Sequence, residues 1–394
     1  MYKLKSKKRY SRRNKPVRKF SKEKIDIHKF IRKSQEKKAQ VEAPYEVTRF
    51  FKDFPLRPKL LKQIDGIGYE KPTEIQDKTL ETILEERDVI GIAGTGTGKT
   101  AAFLIPIIQQ LLIGGAPDQY ALVITPTREL ANQISDEFRK ITRKMRLFST
   151  SLIGGIQVDR SIRELRRTNH IIIATPGRLA DMVKRKQLSL NNFKVLVLDE
   201  FDRMLDMGFK DEVLSFIDAM SERQQTLLFS ATLDDSQKKI IQSITQDALV
   251  VKAGTGTQNT SAIQQEVREV PKGKNKLAIL MELIQEAEGQ KVILFCETKR
   301  SVEQVCRALQ KSDIQADMIH GDKTQKARES ALRNLKKGRI QVLVATDVLA
   351  RGIDVQEVAM VINYEVPSNY NDYIHRIGRT GRAGKSGKAI TLID

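Results

Sequence analysis

The chain has 394 residues, of which 40% are hydrophobic and 30% charged, a globular composition with room for two or three domains. No apolar run reaches the roughly 18 to 20 residues of a membrane-spanning helix, so an integral membrane protein is excluded. With only Cys296 and Cys306 the chain cannot hold a disulfide framework, so we expect a reducing compartment and, without a targeting signal, the cytoplasm.

The net charge of +20 is concentrated at the N-terminus. Residues 1–40 contain 17 Lys or Arg and three acidic residues, a difference of +14. They have no helical stripe of apolar residues, so residues 1–45 are predicted to form a disordered basic tail. Its basic runs, interleaved with Tyr2, Tyr10 and Phe20, favour binding to a nucleic acid backbone. A solubilising tail and an organelle transit peptide are the alternatives.

From about residue 50 onward, runs of β-branched residues alternate with segments of helical periodicity, which predicts parallel sheets covered by helices. A polar, glycine-containing stretch at 254–262 is the predicted linker between a first domain, 46–253, and a second, 263–394. Strands are predicted in the first domain at 88–93, 121–125, 170–175, 195–199 and 226–230. In the second domain they are predicted at 292–296, 318–320, 342–346, 360–363 and 389–392.

A phosphate-binding loop follows the first predicted strand: residues 93–100 read Ala-Gly-Thr-Gly-Thr-Gly-Lys-Thr. Glycines let backbone N–H groups turn inward to cradle phosphate, and the following helix adds its positive N-terminal dipole. Lys99 would reach the β- and γ-phosphates, and the Thr100 hydroxyl would help to hold Mg²⁺. Ala93 stands where the general pattern has glycine. The predicted nucleotide-binding residues here are Gly94, Thr95, Gly96, Thr97, Gly98, Lys99 and Thr100.

An apolar strand at 195–198 runs into the carboxylates Asp199, Glu200 and Asp202. Ligands of parallel sheets bind at the carboxyl ends of the strands, so these acids are expected beside the phosphate loop. Asp199 would orient Mg²⁺, largely through water, and Glu200 would align or deprotonate the attacking water.

An adenine-reading element precedes the loop: Phe51, and Gly-Tyr-Glu-Lys-Pro-Thr-Glu-Ile-Gln at 68–76. With these segments the chain resembles the DEAD-box RNA helicases of superfamily two over residues 50–394. The resemblance implies two RecA-like parallel-sheet domains in tandem, joined by a flexible linker. It also implies that Gln76 binds the adenine edge and Phe51 packs on the ring, which selects ATP.

The resemblance further implies RNA-binding residues in both domains, each set following predicted strands. In the first domain these are Pro126, Thr127, Arg128, Gly154, Gly155, Thr175, Pro176, Gly177 and Arg178. In the second they are Thr298, Gln325, Arg328, Thr346 and Arg351. Asp354 would bind the ribose.

The most specific string is His-Arg-Ile-Gly-Arg-Thr-Gly-Arg at 375–382. By resemblance, Arg379 and Arg382 are arginine fingers, so the implied catalytic set is Lys99, Asp199, Glu200, Arg379 and Arg382. Residues implied to couple nucleotide state to the second domain are Asp202, Ser230, Thr232, His375 and Arg376.

The implied activity is that of an ATP-dependent, RNA-stimulated helicase, which closes two domains on single-stranded or duplex RNA with weak sequence preference and acts as a monomer. Two features depart from the family: Phe201 replaces the namesake alanine, and the chain stops at Asp394 directly after a strand, where relatives usually continue with a helix. An RNA-annealing clamp with impaired turnover and a DNA translocase are the rival hypotheses.

Overall fold

The computed structural model describes residues 26–36, 45–94, 96–233, 235–254, 263–347, 358–381 and 386–394. Two parallel sheets form its framework, one of seven strands in the order β3-β4-β2-β5-β6-β1-β7 and one of six in the order β10-β11-β9-β12-β13-β8. The expected tandem of α/β domains is confirmed.

The strands of the first sheet are β1 (Val89–Ala93), β2 (Ala121–Ile124), β3 (Ser149–Leu152), β4 (Ile171–Ala174), β5 (Val195–Leu198), β6 (Gln225–Ser230) and β7 (Leu249–Ala253). Those of the second are β8 (Ile263–Glu269), β9 (Lys291–Phe295), β10 (Ala316–Ile319), β11 (Val342–Ala345), β12 (Val358–Asn363) and β13 (Gly387–Ile393). Every predicted strand is present. The structure adds β3, β7 and β8.

The helices before and within the first domain are α1 (Ile27–Glu36), α2 (Pro58–Asp65), α3 (Glu74–Leu84), α4 (Lys99–Ile113), α5 (Arg128–Ile141), α6 (Val158–Leu165), α7 (Pro176–Lys184), α8 (Phe201–Asp206), α9 (Lys210–Asp218) and α10 (Asp235–Ile244). Those of the second are α11 (Lys276–Glu286), α12 (Lys299–Lys311), α13 (Gln325–Lys336) and α14 (Tyr370–Ile377). Within the described ranges every helix is too short or too polar to cross a membrane.

Apolar side chains cover both faces of the first sheet. Helix α5 packs one face through Leu130, Ile134, Phe138 and Ile141, the stripe expected of a helix at that spacing. On the other face Phe201 is 1% exposed within a second apolar cluster. The ring is therefore accommodated in the core.

The strand order places the loops at the carboxyl edge of the first sheet in two neighbouring groups. Neighbouring strands β3, β4 and β2 lead into the segments implied to contact RNA, whereas neighbouring strands β5, β6 and β1 lead into the acidic strand end, the 230–232 segment and the phosphate loop. Because all paired strands are parallel, one edge carries two adjacent sites.

The prediction of a disordered basic tail over residues 1–45 is wrong for residues 27–36, which form α1. Ile27 is 2% exposed and joins an apolar cluster of the second domain. The missed signal is a short apolar stripe at Ile27, Phe30 and Ile31, which a partner surface on the same chain stabilises. Residues 1–25 and 37–44 of the tail, and 255–262 of the predicted linker, lie outside the described residues.

Candidate active site

The phosphate loop joins β1 to α4 as expected. Gly98 has a φ of +93°, a left-handed conformation that favours glycine, and stands at the N-terminus of α4. Lys99 is 8% exposed, and its ammonium donates to the carbonyl of Ala93 at 2.9 Å, across the loop. A buried cation inside a loop that begins a helix makes a site suited to an anion. Thr95 lies outside the described residues.

Gln76 connects the adenine-reading element to this loop. Its Nε2 donates to the carbonyl of Gly98 at 3.0 Å, and its Oε1 accepts from the backbone N–H of Thr73 at 2.9 Å. A Cβ on Gly98 would lie 2.5 Å from that Nε2, so glycine is also required by this contact. Phe51 is a core residue, 3% exposed, whose ring packs on Tyr69 with 6.3 Å between centroids.

The acidic strand end is buried beside the loop. Asp199 is 2% exposed; burial raises its pKa to about 6, with Glu200 and Asp202 acting in the same direction and Lys99 opposing them. Glu200 has a φ of +52°, a left-handed conformation that costs energy in a residue other than glycine. Strain and crowded carboxylates together are typical of a functional site.

Asp202 is hydrogen-bonded to the 230–232 segment, which contains two of the other residues implied to couple nucleotide state to the second domain. Asp202 Oδ2 accepts from the Thr232 N–H at 3.0 Å and from its hydroxyl at 2.8 Å. Ser230 Oγ accepts from the Asp202 N–H at 3.3 Å and donates to the carbonyl of Thr232 at 2.7 Å. The end of β6 is thereby tied to the acidic strand end.

The residues at this edge fit a magnesium ion. Asp199 supplies a buried carboxylate whose charge burial disfavours, and Thr100 supplies a hydroxyl in the first turn of α4. Mg²⁺ prefers oxygen ligands and keeps several waters, so one carboxylate and one hydroxyl suffice beside substrate phosphates.

Two arginines implied to contact RNA are held by protein atoms in the first domain. Arg128 packs against Gly154 and Gly155; a Cβ on Gly154 would lie 2.7 Å from its Nη2. Arg178 donates to the carbonyl of Ile156 at 2.7 Å and to Ser161 at 2.8 Å. The glycines therefore make room for a guanidinium.

Of the other residues implied to contact RNA in this domain, Pro126 precedes Thr127, which caps α5 by accepting from the Leu130 N–H at 3.3 Å. Thr175 and Pro176 begin α7, and Gly177 is exposed on it. All lie at the edge formed by β2, β3 and β4.

Arg328 makes a contact that the sequence did not predict. It is 4% exposed and forms an ion pair with Glu129 of the first domain. Asn132 on α5 donates to Glu329 on α13 at 3.1 Å beside it. Arg328 is therefore used between the domains, which differs from the RNA contact implied by resemblance.

The rest of the second domain's implied RNA set follows the carboxyl ends of neighbouring strands. Thr298 is exposed after β9 and caps α12, Thr346 follows β11, and Gln325 begins α13 after β10. Arg351 and the ribose-binding candidate Asp354 are outside the described residues.

Arg376 corrects a second expectation. Its guanidinium, 1% exposed, binds both carboxylate oxygens of Asp347, at 2.7 Å for Nη2, together with Asn363 and the carbonyl of Glu365. Because its acceptors all belong to the second domain, it organises that domain and does not reach the acidic strand end. Nearby, Arg379 donates from Nε to the carbonyl of His375 at 3.1 Å. Arg382 lies outside the described residues.

Sequence reasoning missed three charged residues of this site. Glu129 and Asp347 are the partners of buried arginines, and Arg203, 2% exposed, lies 3.7 Å from Glu200. Each is adjacent or nearly adjacent to a motif residue. A charged residue close to a motif at a strand end was the sequence signal for each of them. A charge that is buried there requires a partner of opposite charge.

Each of the two domains matches a known protein family model. Residues 73–240 match the family model described as DEAD/DEAH box helicase, and residues 275–384 match that of the helicase conserved C-terminal domain. The DEAD-box ATP-dependent RNA helicase CshA of Bacillus subtilis (strain 168) is 44% identical over 347 residues, covering 88% of this chain and 70% of the relative.

Two solved structures bear on the domain arrangement. S. cerevisiae Dbp5 bound to RNA and ADP BeF3 gives a TM-score of 0.79 at 30% identity, covering 88% of this chain and 90% of that one. A DEAD box protein from the hyperthermophile Methanococcus jannaschii is 37% identical and covers 88% and 94%, but gives only 0.52. The whole-chain fold is thus more similar to that of the RNA-bound Dbp5 than to that of the Methanococcus jannaschii protein, although the latter is higher in sequence identity.

Two RecA-like sheets, a phosphate loop and a buried acidic strand end define the core of a phosphate-loop NTPase. The chain belongs to the DEAD-box RNA helicase family.

Proposed function

We propose that this protein is an ATP-dependent RNA helicase, which locally unwinds RNA duplexes or remodels RNA–protein complexes as two domains close on the strand. The observation that carries the proposal is the contact between the domains through the Glu129–Arg328 ion pair, in a chain whose whole fold is similar to that of RNA-bound Dbp5. In this arrangement the loops after β2, β3 and β4 and those after β9, β10 and β11 provide the RNA-facing edges.

Nucleotide binding is the task of the first domain. When ATP binds, Lys99 replaces its hydrogen bond to the Ala93 carbonyl with bonds to the β- and γ-phosphates. Because the ammonium is already buried, this exchange costs no further desolvation of the cation. Gln76, already fixed on Gly98, presents its amide to adenine, and Phe51 supports the ring. When bound, Mg²⁺ held by Thr100 and waters on Asp199 would neutralise phosphate charge.

Hydrolysis requires residues of both domains. Glu200 aligns the attacking water and can take its proton, while Arg379 and Arg382 stabilise charge on the transferred phosphoryl group. Such a guanidinium contributes roughly 10³- to 10⁵-fold in comparable enzymes. The bonds of Thr232 to Asp202 transmit nucleotide state to the segment after β6.

RNA is held through its backbone, by Thr127, Thr175 and Gly177 in the first domain and by Thr298 and Thr346 in the second, so sequence preference is weak. Arg128, Arg178 and Arg328 shape this edge through the protein contacts described above. A strand bent between the two edges cannot remain stacked in a duplex, and this gives local unwinding.

Phe201 leaves the chemical groups of the Asp-Glu-Phe-Asp segment in position. Its ring lies in an apolar cluster of the core, and Asp202 keeps its bonds to Thr232. This supports turnover by the protein and counts against the clamp hypothesis.

The test is phosphate release from ATP by the full chain with and without single-stranded RNA. We expect strong stimulation by RNA, abolished in Lys99→Ala and retained in the control Lys210→Ala, an exposed lysine of the same domain. Release near zero with RNA present would favour an annealing clamp. Equal stimulation by matched DNA would overturn the assignment of RNA as substrate.

A further inference from the structure

A basic surface lies at the amino end of β3, the opposite end of that strand from the glycines that pack on Arg128. Residues 142–170 contain seven Lys or Arg and two acidic residues, a difference of +5. Five of these basic side chains are exposed and shortly precede β3 or β4. Together with Phe148 they form what we call the β3 basic patch: Arg143, Lys144, Arg146, Arg166 and Arg167.

Hydrogen bonds bring the two basic segments together. The N–H of His170 donates to the carbonyl of Phe148 at 2.9 Å, and the N–H of Phe148 donates to His170 Nδ1 at 2.9 Å. Asn169, the residue before His170, donates from Nδ2 to the carbonyls of Arg167 at 2.6 Å and Glu164 at 2.9 Å. The end of α6 is thereby fixed beside the start of β3, so the basic side chains of both segments share one surface.

The charges of the patch are uncompensated, unlike those of nearby arginines. Arg139 and Arg160 pair with Asp136 and Glu164, each on its own helix. The five basic side chains of the patch form no such ion pair with any carboxylate in the part of the chain that the structure describes. Like charges on one surface repel one another, and a polyanion bound across them relieves that repulsion.

An exposed aromatic ring lies among these charges. Phe148 is 52% exposed, and its ring stacks on that of buried His170 with 5.8 Å between centroids and 26° between planes. The backbone bonds between the two residues hold the ring in place. An aromatic platform beside cations suits single-stranded nucleic acid, because a base stacks on the ring while the cations bind phosphates. The bases of a duplex are already stacked, so a duplex would use only the charges.

We propose that the β3 basic patch is a second RNA-binding surface, which holds a single-stranded part of the RNA outside the RNA-facing edges of the two domains. From Phe148 to Gly154 the chain advances six residues along β3, the edge strand of its sheet, or about 20 Å at the rise of a strand. A nucleic acid strand covers this distance in about six nucleotides at roughly 3.4 Å each. An RNA held at the edge formed by β2, β3 and β4 can therefore also reach the patch.

Two contacts with one RNA increase its affinity, because binding at the first raises the effective concentration at the second. Long RNAs should therefore bind more tightly than short ones, and part of this gain should depend on the patch. The choice of RNA over DNA rests on the proposed function, whereas a site for a single-stranded polyanion does not.

The first test places a fluorescent reporter at the patch. The chain has no tryptophan, so Phe148→Trp introduces a single indole, whose emission a stacked base quenches. We expect quenching by single-stranded RNA of about 20 nucleotides, long enough by the spacing above to span the edge and the patch. The quenching should persist when Lys99→Ala is added, because the patch does not use ATP.

The matched control is Val250→Trp, at a position that is 51% exposed on β7, the opposite edge strand of the same sheet. Its emission should not change with RNA. Absence of quenching at Phe148→Trp, or equal quenching at both positions, would overturn the proposal. If RNA fails to stimulate the ATPase while the quenching remains, the proposed function is wrong and the second site stands.

The second test removes charge from the patch. The variant combines three substitutions: Arg146→Ser, Arg166→Ser and Arg167→Ser. We expect the affinity for the same RNA to fall at least about tenfold, and the slope of log affinity against log salt to decrease by about 2, as for three phosphate contacts on a single strand.

The control for charge removes three exposed arginines of the same domain that are ion-paired with carboxylates: Arg139→Ser, Arg160→Ser and Arg185→Ser. Its salt slope should match that of the unmodified chain. An unchanged slope in the patch variant, or equal decreases in both variants, would refute the site. Equal quenching of Phe148→Trp by matched single-stranded DNA would overturn the assignment to RNA, and a response to phosphatidylserine vesicles but not to RNA would assign the patch to a membrane surface instead.

Discussion

At the scale of single residues, the edge implied to bind RNA is held in shape by arginines whose partners are protein atoms. Arg128 packs on Gly154 and Gly155, Arg178 ties the start of α6 to α7, and Arg328 reaches across to the other domain. A buried guanidinium needs acceptors or close packing wherever it lies. These arginines thus preorganise the surface on which a strand is bound.

Gly155→Ala should disturb this arrangement. Gly155 has a φ of +77°, and a Cβ there would collide with the Arg128 guanidinium. We expect a loss of about 1 to 3 kcal/mol in the free energy of unfolding from the backbone conformation, and weaker RNA stimulation of the ATPase because Arg128 is displaced. Chemical denaturation and ATPase titration with RNA measure the two effects.

The control for that variant is Gly208→Ala, whose φ is +82° with nothing within 4 Å of the added Cβ. This variant has the same unfavourable backbone conformation for alanine but no collision with a side chain. The stimulation of its ATPase by RNA should therefore stay normal. If Gly208→Ala and Gly155→Ala weaken stimulation equally, the role given to Arg128 is wrong.

Phe201→Ala restores the residue that gives the family its name, yet it should destabilise this protein. The ring is 1% exposed in the apolar cluster between the first sheet and its helices, so truncation leaves a cavity. We expect a loss of about 3 to 5 kcal/mol in the free energy of unfolding of the first domain. Urea denaturation checks this; a change below about 1 kcal/mol would mean that the cluster collapses around alanine.

At the scale of secondary-structure elements, burial explains which strands the sequence predicted. The interior strands are continuous apolar runs, such as β5, which is buried throughout. The missed strands β3, β7 and β8 all lie at sheet edges, where one side faces solvent and residues such as Ser149 and Glu266 are tolerated. In these strands apolar and polar residues alternate over only four to seven positions. Such a short pattern is a weaker sequence signal than the continuous apolar runs of the core strands.

The same argument applies to the site and to α1. Motif residues were predictable because phosphate, metal and helix N-termini demand particular side chains at fixed spacing. The partners of Arg328 and Arg376 were not, since Glu129 and Asp347 lie 199 and 29 positions away and meet them only through the tertiary fold. Helix α1 depends likewise on a groove more than 200 residues distant, as in the Ser34–Gln265 contact.

The second domain should become less stable at alkaline pH, because it has a buried cysteine on α12 and another at the end of β9. Cys306 on α12 is fully buried, and burial raises its pKa to about 11 from 9.0. The unfolded chain loses this proton first, so the free energy of unfolding should fall as pH rises from 9.0 to about 11, by about 1.4 kcal/mol per pH unit for this thiol. Burial also raises the pKa of Cys296, at the end of β9, in the same direction.

Urea denaturation at several pH values measures this slope. Cys306→Ala should lower stability at neutral pH through the lost packing but flatten the decline above pH 9. An unchanged slope in that variant would show that the Cys306 thiol does not titrate with unfolding.

At the scale of the whole molecule, closure depends on contacts between two domains that each fold around their own sheet. The described contacts include one buried ion pair, Glu129–Arg328, and a polar pair at its rim, Asn132–Glu329. Burial lowers the pKa of Arg328, while Glu129 opposes that shift. The guanidinium is therefore buried at a cost that Glu129 offsets, with a smaller contribution from Glu329, and this makes the contact between the domains sensitive to Glu129 and Arg328.

Glu129→Gln and Arg328→Gln should each weaken closure far more than Glu329→Gln, the exposed control. Removing one partner leaves the other charge buried in the closed state but hydrated in the open state, so the loss falls on closure and not on folding. For a buried pair this is about 3 to 5 kcal/mol, or more than a hundredfold in the RNA concentration for half-maximal ATPase. The double variant should lose less than the sum of the two, because no lone charge remains.

The measurement is an ATPase titration with RNA on the unmodified chain, the two single variants and the double variant. Additive losses would mean that the two side chains act separately, through RNA, and do not join the domains.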